Sequence, residues 1–341
     1  MRALFPALRF AAAVFLIPMF TVQQSFAWGA EGHRYISRVA AEALPADVPA
    51  FLRTPGAVNA IEYLGPEPDR WRSNAEPELK DAGAPEHFID LEIADMAGPL
   101  PRKRYDFFRA LTAAQIKQPS MAAGLTPEKV GTQPYAATEV YERLKAAMRE
   151  YRQLAADKQD TTPVELAIIF YTGWMSHYVA DGSMPLHTTV QYNGWTGPNP
   201  NGYTTQHHIH GQFESQFVAA NIKPADFAPL VGKPRVLGDV FEEYVAYLRH
   251  SHTLVERTYQ LEKAGGFNGA GSAESVQFTR ERLAAGATML RDMIYTAWVK
   301  SGDRVPDWHD EKPASTSAIQ MNPRPYIRMC TQSYMQQGEQ A

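Results

Sequence analysis

The stretch "PVELAIIFYTGWMSHYVADGSMPLH" runs from Pro163 to His187. From Pro163 to Asp181 its apolar residues cover nearly the whole circumference at helical spacing, the pattern of a buried helix. Thr161 or Thr162 is the predicted cap, with Pro163 at the first helical position, where a missing N–H is no loss. His177 and Asp181 stand four residues apart, so both project from one helix face. Polar groups on a buried helix must be paired or bound to a metal. His187 follows a proline-containing turn that can curl back to the same region.

Working outward, the same periodicity recurs. Residues 135–158 read as an amphipathic helix, 33–44 as a shorter one, and 240–263 and 273–301 as two further long helices. No segment alternates as a strand over more than a few residues. The expectation is an all-α fold: a single multi-helix domain over 28–310, followed by a flexible tail over 311–341 that is poor in periodicity and rich in Pro, Ser, Gln and Asn. No internal repeat is present.

The first 27 residues carry Arg2 and Arg9, then an apolar run, then Ser25-Phe26-Ala27, which is the layout of a secretory signal peptide cleaved after Ala27. An uncleaved anchor is the alternative, but the run is short for a membrane span and is interrupted by Pro18. Cleavage would remove two arginines and no acid, moving the formal net charge from -4 to -6. That balance gives no electrostatic footprint for tight duplex binding, though it leaves room for a local basic groove. A secreted or periplasmic location follows. The single cysteine, Cys330, rules out an internal disulfide, so the fold must rest on its core or on metals.

Candidate ligands occur in short polar contexts along the chain. "WGAEGHR" (28–34) would begin the mature protein, and a free α-amine with its own carbonyl can chelate a cation joined by His33. "EPDRWRS" (67–73) sets Asp69 beside Arg70 and Arg72; alone it reads as a solvated surface pair. "APEHFIDLE" (84–92) sets His87 among apolar and acidic residues. "HHIHGQFE" (207–214) repeats the four-residue device with His210 and Glu214, while His207 and His208 compete without a carboxylate at that offset. Together these provide five histidines, three carboxylates and one N-terminus, an inventory for about three zinc ions with nitrogen and oxygen ligands and no thiolate.

The ordered set "WGxxGH", an Asp with a trailing Arg, "HFID", "HxxxDxxxPLH" and "HxxxE" resembles the superfamily of zinc-dependent phospholipase C and the S-one/P-one type nucleases, over Trp28 to Glu214. The resemblance implies three zinc sites. Trp28 and His33 would hold one zinc, and Asp181 would bridge it to a second, which also takes Asp69, His87 and His177. His187, His210 and Glu214 would hold the third. Asp69 is the residue implied to orient or deprotonate the attacking water. Zinc offsets phosphate charge and lowers the pKa of water toward neutrality, and backbone carbonyls are expected to set each histidine tautomer.

The short Trp-to-His spacing, "HFID" and "PLH" look like the nuclease branch, whereas Glu214 in place of Asp looks like the phospholipase branch. Ser183-Met184 stands where nucleases usually have His-Gln. The loop "TTVQYNGWTGPNPNGYTTQ" (188–206) lacks their Gly-Gly-Asn, and the disulfide cysteines are missing. These departures bear on the substrate rather than the metals. Tyr192, Asn193, Trp195 and Tyr203 in that loop are candidate substrate contacts. The aromatics would stack on single-stranded bases, meet a lipid headgroup, or pack the loop down. Arg102–Tyr105, "RKRY", would guide a phosphate backbone or begin a solvated helix. The expected activity is a phosphodiesterase acting on single-stranded DNA or RNA. The alternatives are a phospholipase C-like enzyme on phospholipid and a secreted zinc-binding protein without catalysis.

Overall fold

The structure, a computed structural model, describes residues 28–305. The expected signal peptide at 1–27 and tail at 311–341 lie outside the described residues. The described residues through Gly302 belong to one compact unit, and among the described residues there is helix and loop but no strand. Among the described residues, no helix is long and apolar enough to cross a membrane.

The central element is the helix read first. Helix α1 spans Gly29–Glu42, α2 Pro55–Leu64, α3 Glu67–Arg70, α4 Gln133–Ala156 and α5 Thr162–Ser183. After these come α6 (Val240–His252), α7 (Val255–Lys263) and α8 (Ala273–Lys300). Helix α5 packs against α1, α2, α4, α6 and α8, which is why nearly every side of its C-terminal half is apolar. All residues from Met175 to Thr189 are buried. The N-terminal half differs from the all-round burial expected. Leu166 is 65% exposed and Phe170 38%, because α4 covers only one side there. The start also differs: Asp160 Oδ1 accepts from the Thr162 N–H at 3.0 Å, while Thr161 Oγ1 donates to Glu165 instead of capping.

Residues 240–263, read as one helix, are two. The break falls at Thr253 and Leu254, where Thr253 Oγ1 donates to the His250 carbonyl and the His252 ring donates from Nδ1 to the Thr188 carbonyl at 2.8 Å. That tertiary bond, invisible in local periodicity, lets α7 turn toward the 191–205 loop. The segment carrying His210 also departs from a plain α-helix. It runs through Ile209–Gly211, a π-helical stretch Gln212–Phe217, and Val218–Asn221. Such π turns arise where one residue more than a regular turn is accommodated. The backbone of Gly29 lies against this stretch at φ +34°, and a Cβ there would come within 2.9 Å of Ser215 Oγ.

Candidate metal centre

Trp28 seats the first turn of α1. Its indole is fully buried, and Nε1 donates to the Ala180 carbonyl at 2.8 Å and to Ser183 Oγ at 2.9 Å. This anchors the α1 start on the end of α5 and holds the Trp28 backbone nitrogen 3.0 Å from Glu214 Oε2. One turn on, His33 faces α5, its ring stacked on His177 with centroids 4.0 Å apart. Short α3 presents Asp69, the turn before Phe88 presents His87, and the end of α5 presents His177 and Asp181. His187 follows in the turn after α5.

Three groups of buried side chains result, each able to hold a metal ion: His33 with Asp69 and His177; His87 with His177 and Asp181; and His187 with His210 and Glu214. All eight residues are at most 7% exposed. Asp181 stands between the first two groups, with Oδ1 3.4 Å from His33 Nε2 and Oδ2 3.3 Å from His87 Nδ1 and 3.4 Å from His177 Nε2. Asp69 also reaches both sides. Its Oδ2 is 3.9 Å from His33, and its Oδ1 is 3.7 Å from His87 and 3.8 Å from His177. The resemblance implied Asp69 for the His87 and His177 site alone; the geometry gives it to His33 as well.

These separations fit a cation. Ligand atoms 2.0–2.1 Å from a tetrahedral zinc stand roughly 3.3–3.4 Å apart. Both Asp181 oxygens, Asp69 Oδ2 and Glu214 Oε1 are buried and accept no hydrogen bond, an arrangement that is costly unless something positive lies beside them. The histidine tautomers agree. His177 donates from Nδ1 to the Gly65 carbonyl at 2.9 Å, His187 to the His87 carbonyl at 2.6 Å, and His210 to the Tyr192 carbonyl at 2.9 Å. Each neutral ring therefore turns an Nε2 lone pair inward. In the third group His187 Nε2 and His210 Nε2 face each other at 3.2 Å, beside Glu214 Oε2 at 3.7 and 2.9 Å.

The protonation balance reflects burial without a cation. Burial pushes the Asp69 carboxyl up to about 8 against the opposing pull of Arg72, and raises Asp181 well above the carboxylate range, helped by Asp69. Burial likewise lowers His87 and His177 well below the usual imidazole range, with neighbouring cationic groups adding to it. At His210 burial opposes the charge, but the Glu214 charge and hydrogen bond outweigh it and raise the ring. Glu214 is lowered in turn because His210 and His187 outweigh its desolvation. Without a metal, His210 and Glu214 form the one ready ion pair of the set.

The groups open onto a cavity of about 450 Å³ lined by His87, His187 and His210 together with Arg72, Phe88, Asp90, Lys129, Tyr192 and Asn193. Arg72 is no solvated surface residue: its Nη1 lies 3.5 Å from Asp69 Oδ1, and it faces the cavity. Tyr192 is 56% exposed, its ring edge-on to His210. Asn193 Oδ1 accepts from the His210 backbone N–H at 3.3 Å. Trp195 and Tyr203 are not in the wall. Their rings pack on each other and on Tyr259, and Tyr203 donates to Glu256, so they hold the loop down. His207 donates to the Asn193 carbonyl and His208 lies 3.6 Å from Glu262, so both stand apart from the three groups. Arg102 and Arg104 pair with Asp239 and with Glu86 and Glu139, away from the cavity.

Sequence reading passed over Phe88, Asp90 and Lys129. The first two sit inside the "HFID" quoted for His87, so their place beside a ligand was a usable signal. Burial and Glu92 push the Asp90 carboxyl up to about 7. Lys129 carries no local signal; it arrives because Gly131 bridges to Ile89. No protein-family model matches the chain, and neither does any curated protein.

Proposed function

We propose that the protein is an exported, zinc-dependent phosphodiesterase acting on single-stranded DNA or RNA. The observation that carries the proposal is the convergence of buried histidines on carboxylate oxygens that accept no hydrogen bond, His33, His87 and His177 around both Asp181 oxygens and Asp69 Oδ2, and tautomer-locked His187 and His210 beside Glu214, next to a cavity whose wall includes Arg72 and Lys129 as well as Asp90 and Glu128. Zinc bound there would supply Lewis acidity toward a phosphate oxygen and a lowered pKa for water.

The remaining roles fall to the chain's own side chains. His33, Asp69, His87, His177, Asp181, His187, His210 and Glu214 would hold the metal, joined by the Trp28 main chain. Asp69 Oδ2, buried and accepting no hydrogen bond, is the atom that orients the attacking water and takes its proton. Arg72 presents a guanidinium to phosphate oxygens, a planar fork suited to two of them at once. Phe88 and Tyr192 offer faces on which a base can stack. Cleavage after Ala27 would turn the Trp28 nitrogen, 3.0 Å from Glu214, into a free amine at the centre.

The test is a paired assay on zinc-loaded protein beginning at Trp28, with single-stranded DNA and RNA in one arm, phosphatidylcholine vesicles in the other, and a chelator control in each. Chelator-sensitive cleavage of nucleic acid alone supports the proposal. Headgroup release alone replaces it with the phospholipase reading, which Glu214 favours. Zinc binding with silence in both arms moves the weight to a metal protein without this catalysis.

A further inference from the structure

The exposed N-terminal half of α5 carries a feature the proposed chemistry does not use. Trp71, next in sequence to Arg72 of the cavity wall, meets the edge of Trp174 with ring centroids 5.4 Å apart. Trp174 meets Phe170 at 6.0 Å, and Leu166 lies one turn further along the same face. Trp174 is tied to the centre itself: its Nε1 donates to Tyr178 Oη, and the Tyr178 ring stands edge-on to His87 and His177. A strip of aromatic surface thus runs outward from the Asp69 and Arg72 rim.

The strip is also cationic. The exposed Arg143 guanidinium of α4 lies over the Trp174 ring at 5.5 Å. The neighbouring acids on α4 are already matched, Glu139 to Arg104 and Glu142 to Lys145, whereas Arg143 makes no ion pair among the described residues. Stacking faces beside an unmatched arginine are the two elements that hold single strands without sequence preference: bases stack, and the cation neutralises a phosphate.

We infer that Trp71, Trp174, Phe170 and Arg143 form a docking track for the part of a single-stranded nucleic acid that extends beyond the cleavage site. The inference rests on the single-strand reading above. Its test is direct binding, so that the two can fail separately. The probe is a fluorescently labelled phosphorothioate thymidine strand of roughly twelve nucleotides, titrated against zinc-loaded protein by anisotropy at several salt concentrations. The variants are Phe170→Ser and Arg143→Gln, alone and together, with thermal melting to verify the fold; both side chains are exposed.

The double variant is expected to weaken Kd roughly tenfold, and Arg143→Gln alone to flatten the slope of log Kd against log salt by about 0.7. Unchanged Kd and slope in folded variants overturn the track, and so does lost binding to phosphatidylcholine vesicles with strand binding intact. If an ordinary strand is cut at the wild-type rate while Kd does not respond, the track falls and the nuclease reading stands. If no strand is cut but Kd responds as stated, the track stands and the nuclease reading falls.

Discussion

The His187 ring donates from Nδ1 to the backbone carbonyl of His87 at 2.6 Å. One member of the second group thus orients a member of the third through its main chain. The two groups are consequently a single rigid unit, and displacing the turn at His87 moves both. The bond is reinforced in the other direction, since the Ile89 N–H donates to the His187 carbonyl at 2.9 Å.

The first prediction concerns the shared carboxylate. Asp181→Asn keeps the shape and removes the charge that stands between His33, His87 and His177. Metal analysis should show loss of at least one ion per chain, and turnover should fall by more than ~100-fold, beyond the loss typical of an outer partner. The metal-free variant should melt no lower than the metal-free wild type, because burial already disfavours this carboxylate. A clearly lower metal-free melting temperature would mean that Asp181 is structural.

The pH dependence of the metal-free chain follows from signs. Asp69 is pushed up to about 8, chiefly by burial. The folded value exceeds the unfolded one, so its stabilising contribution is complete below about pH 4 and is lost as pH rises through about 8. His87 and His177 are lowered, so their contribution is complete above about pH 6.5 and is lost as pH falls below it. Above about pH 6.5 the raised carboxylates and the raised His210 act in the same direction, and the chelated protein should lose melting temperature as pH rises through about 8. Zinc needs deprotonated ligands, so its stabilising increment should widen over the same range. Melts with and without chelator at three pH values check both trends.

The N-terminus provides a third prediction. In a protein prepared to begin at Trp28, one added residue would replace the free amine by an amide 3.0 Å from Glu214. Turnover should drop by at least ~100-fold while helicity by circular dichroism stays unchanged, with about one metal ion fewer retained. Full activity in the extended protein would remove the amine from the centre.

Gly131 carries the fourth. Its φ is +86°, and a Cβ would lie 2.1 Å from the Phe88 carbonyl oxygen. Gly131→Ala should cost roughly 2–4 kcal/mol in urea unfolding. It should also impair turnover, since the displaced segment follows His87 directly. A loss below ~1 kcal/mol would show that the bridge to Ile89 yields freely.

Helix positions and ligand types were legible in the sequence because both are local. A 3.6-residue period marks which face is buried, and offsets of four set His177 with Asp181, and His210 with Glu214, on one side whatever surrounds them. Helix α5 could be read this way, as could the inventory of histidines and carboxylates. Other features depend on segments far apart in the chain. The carbonyls that lock the tautomers belong to Gly65, His87 and Tyr192. Tyr259 takes Trp195 and Tyr203 out of the cavity wall. The break at Thr253 answers to Thr188. A hydrogen-bond acceptor or a packing partner contributed from a hundred residues away leaves no periodic trace, so only the tertiary structure decides which polar side chains face the cavity and which close the loop above it.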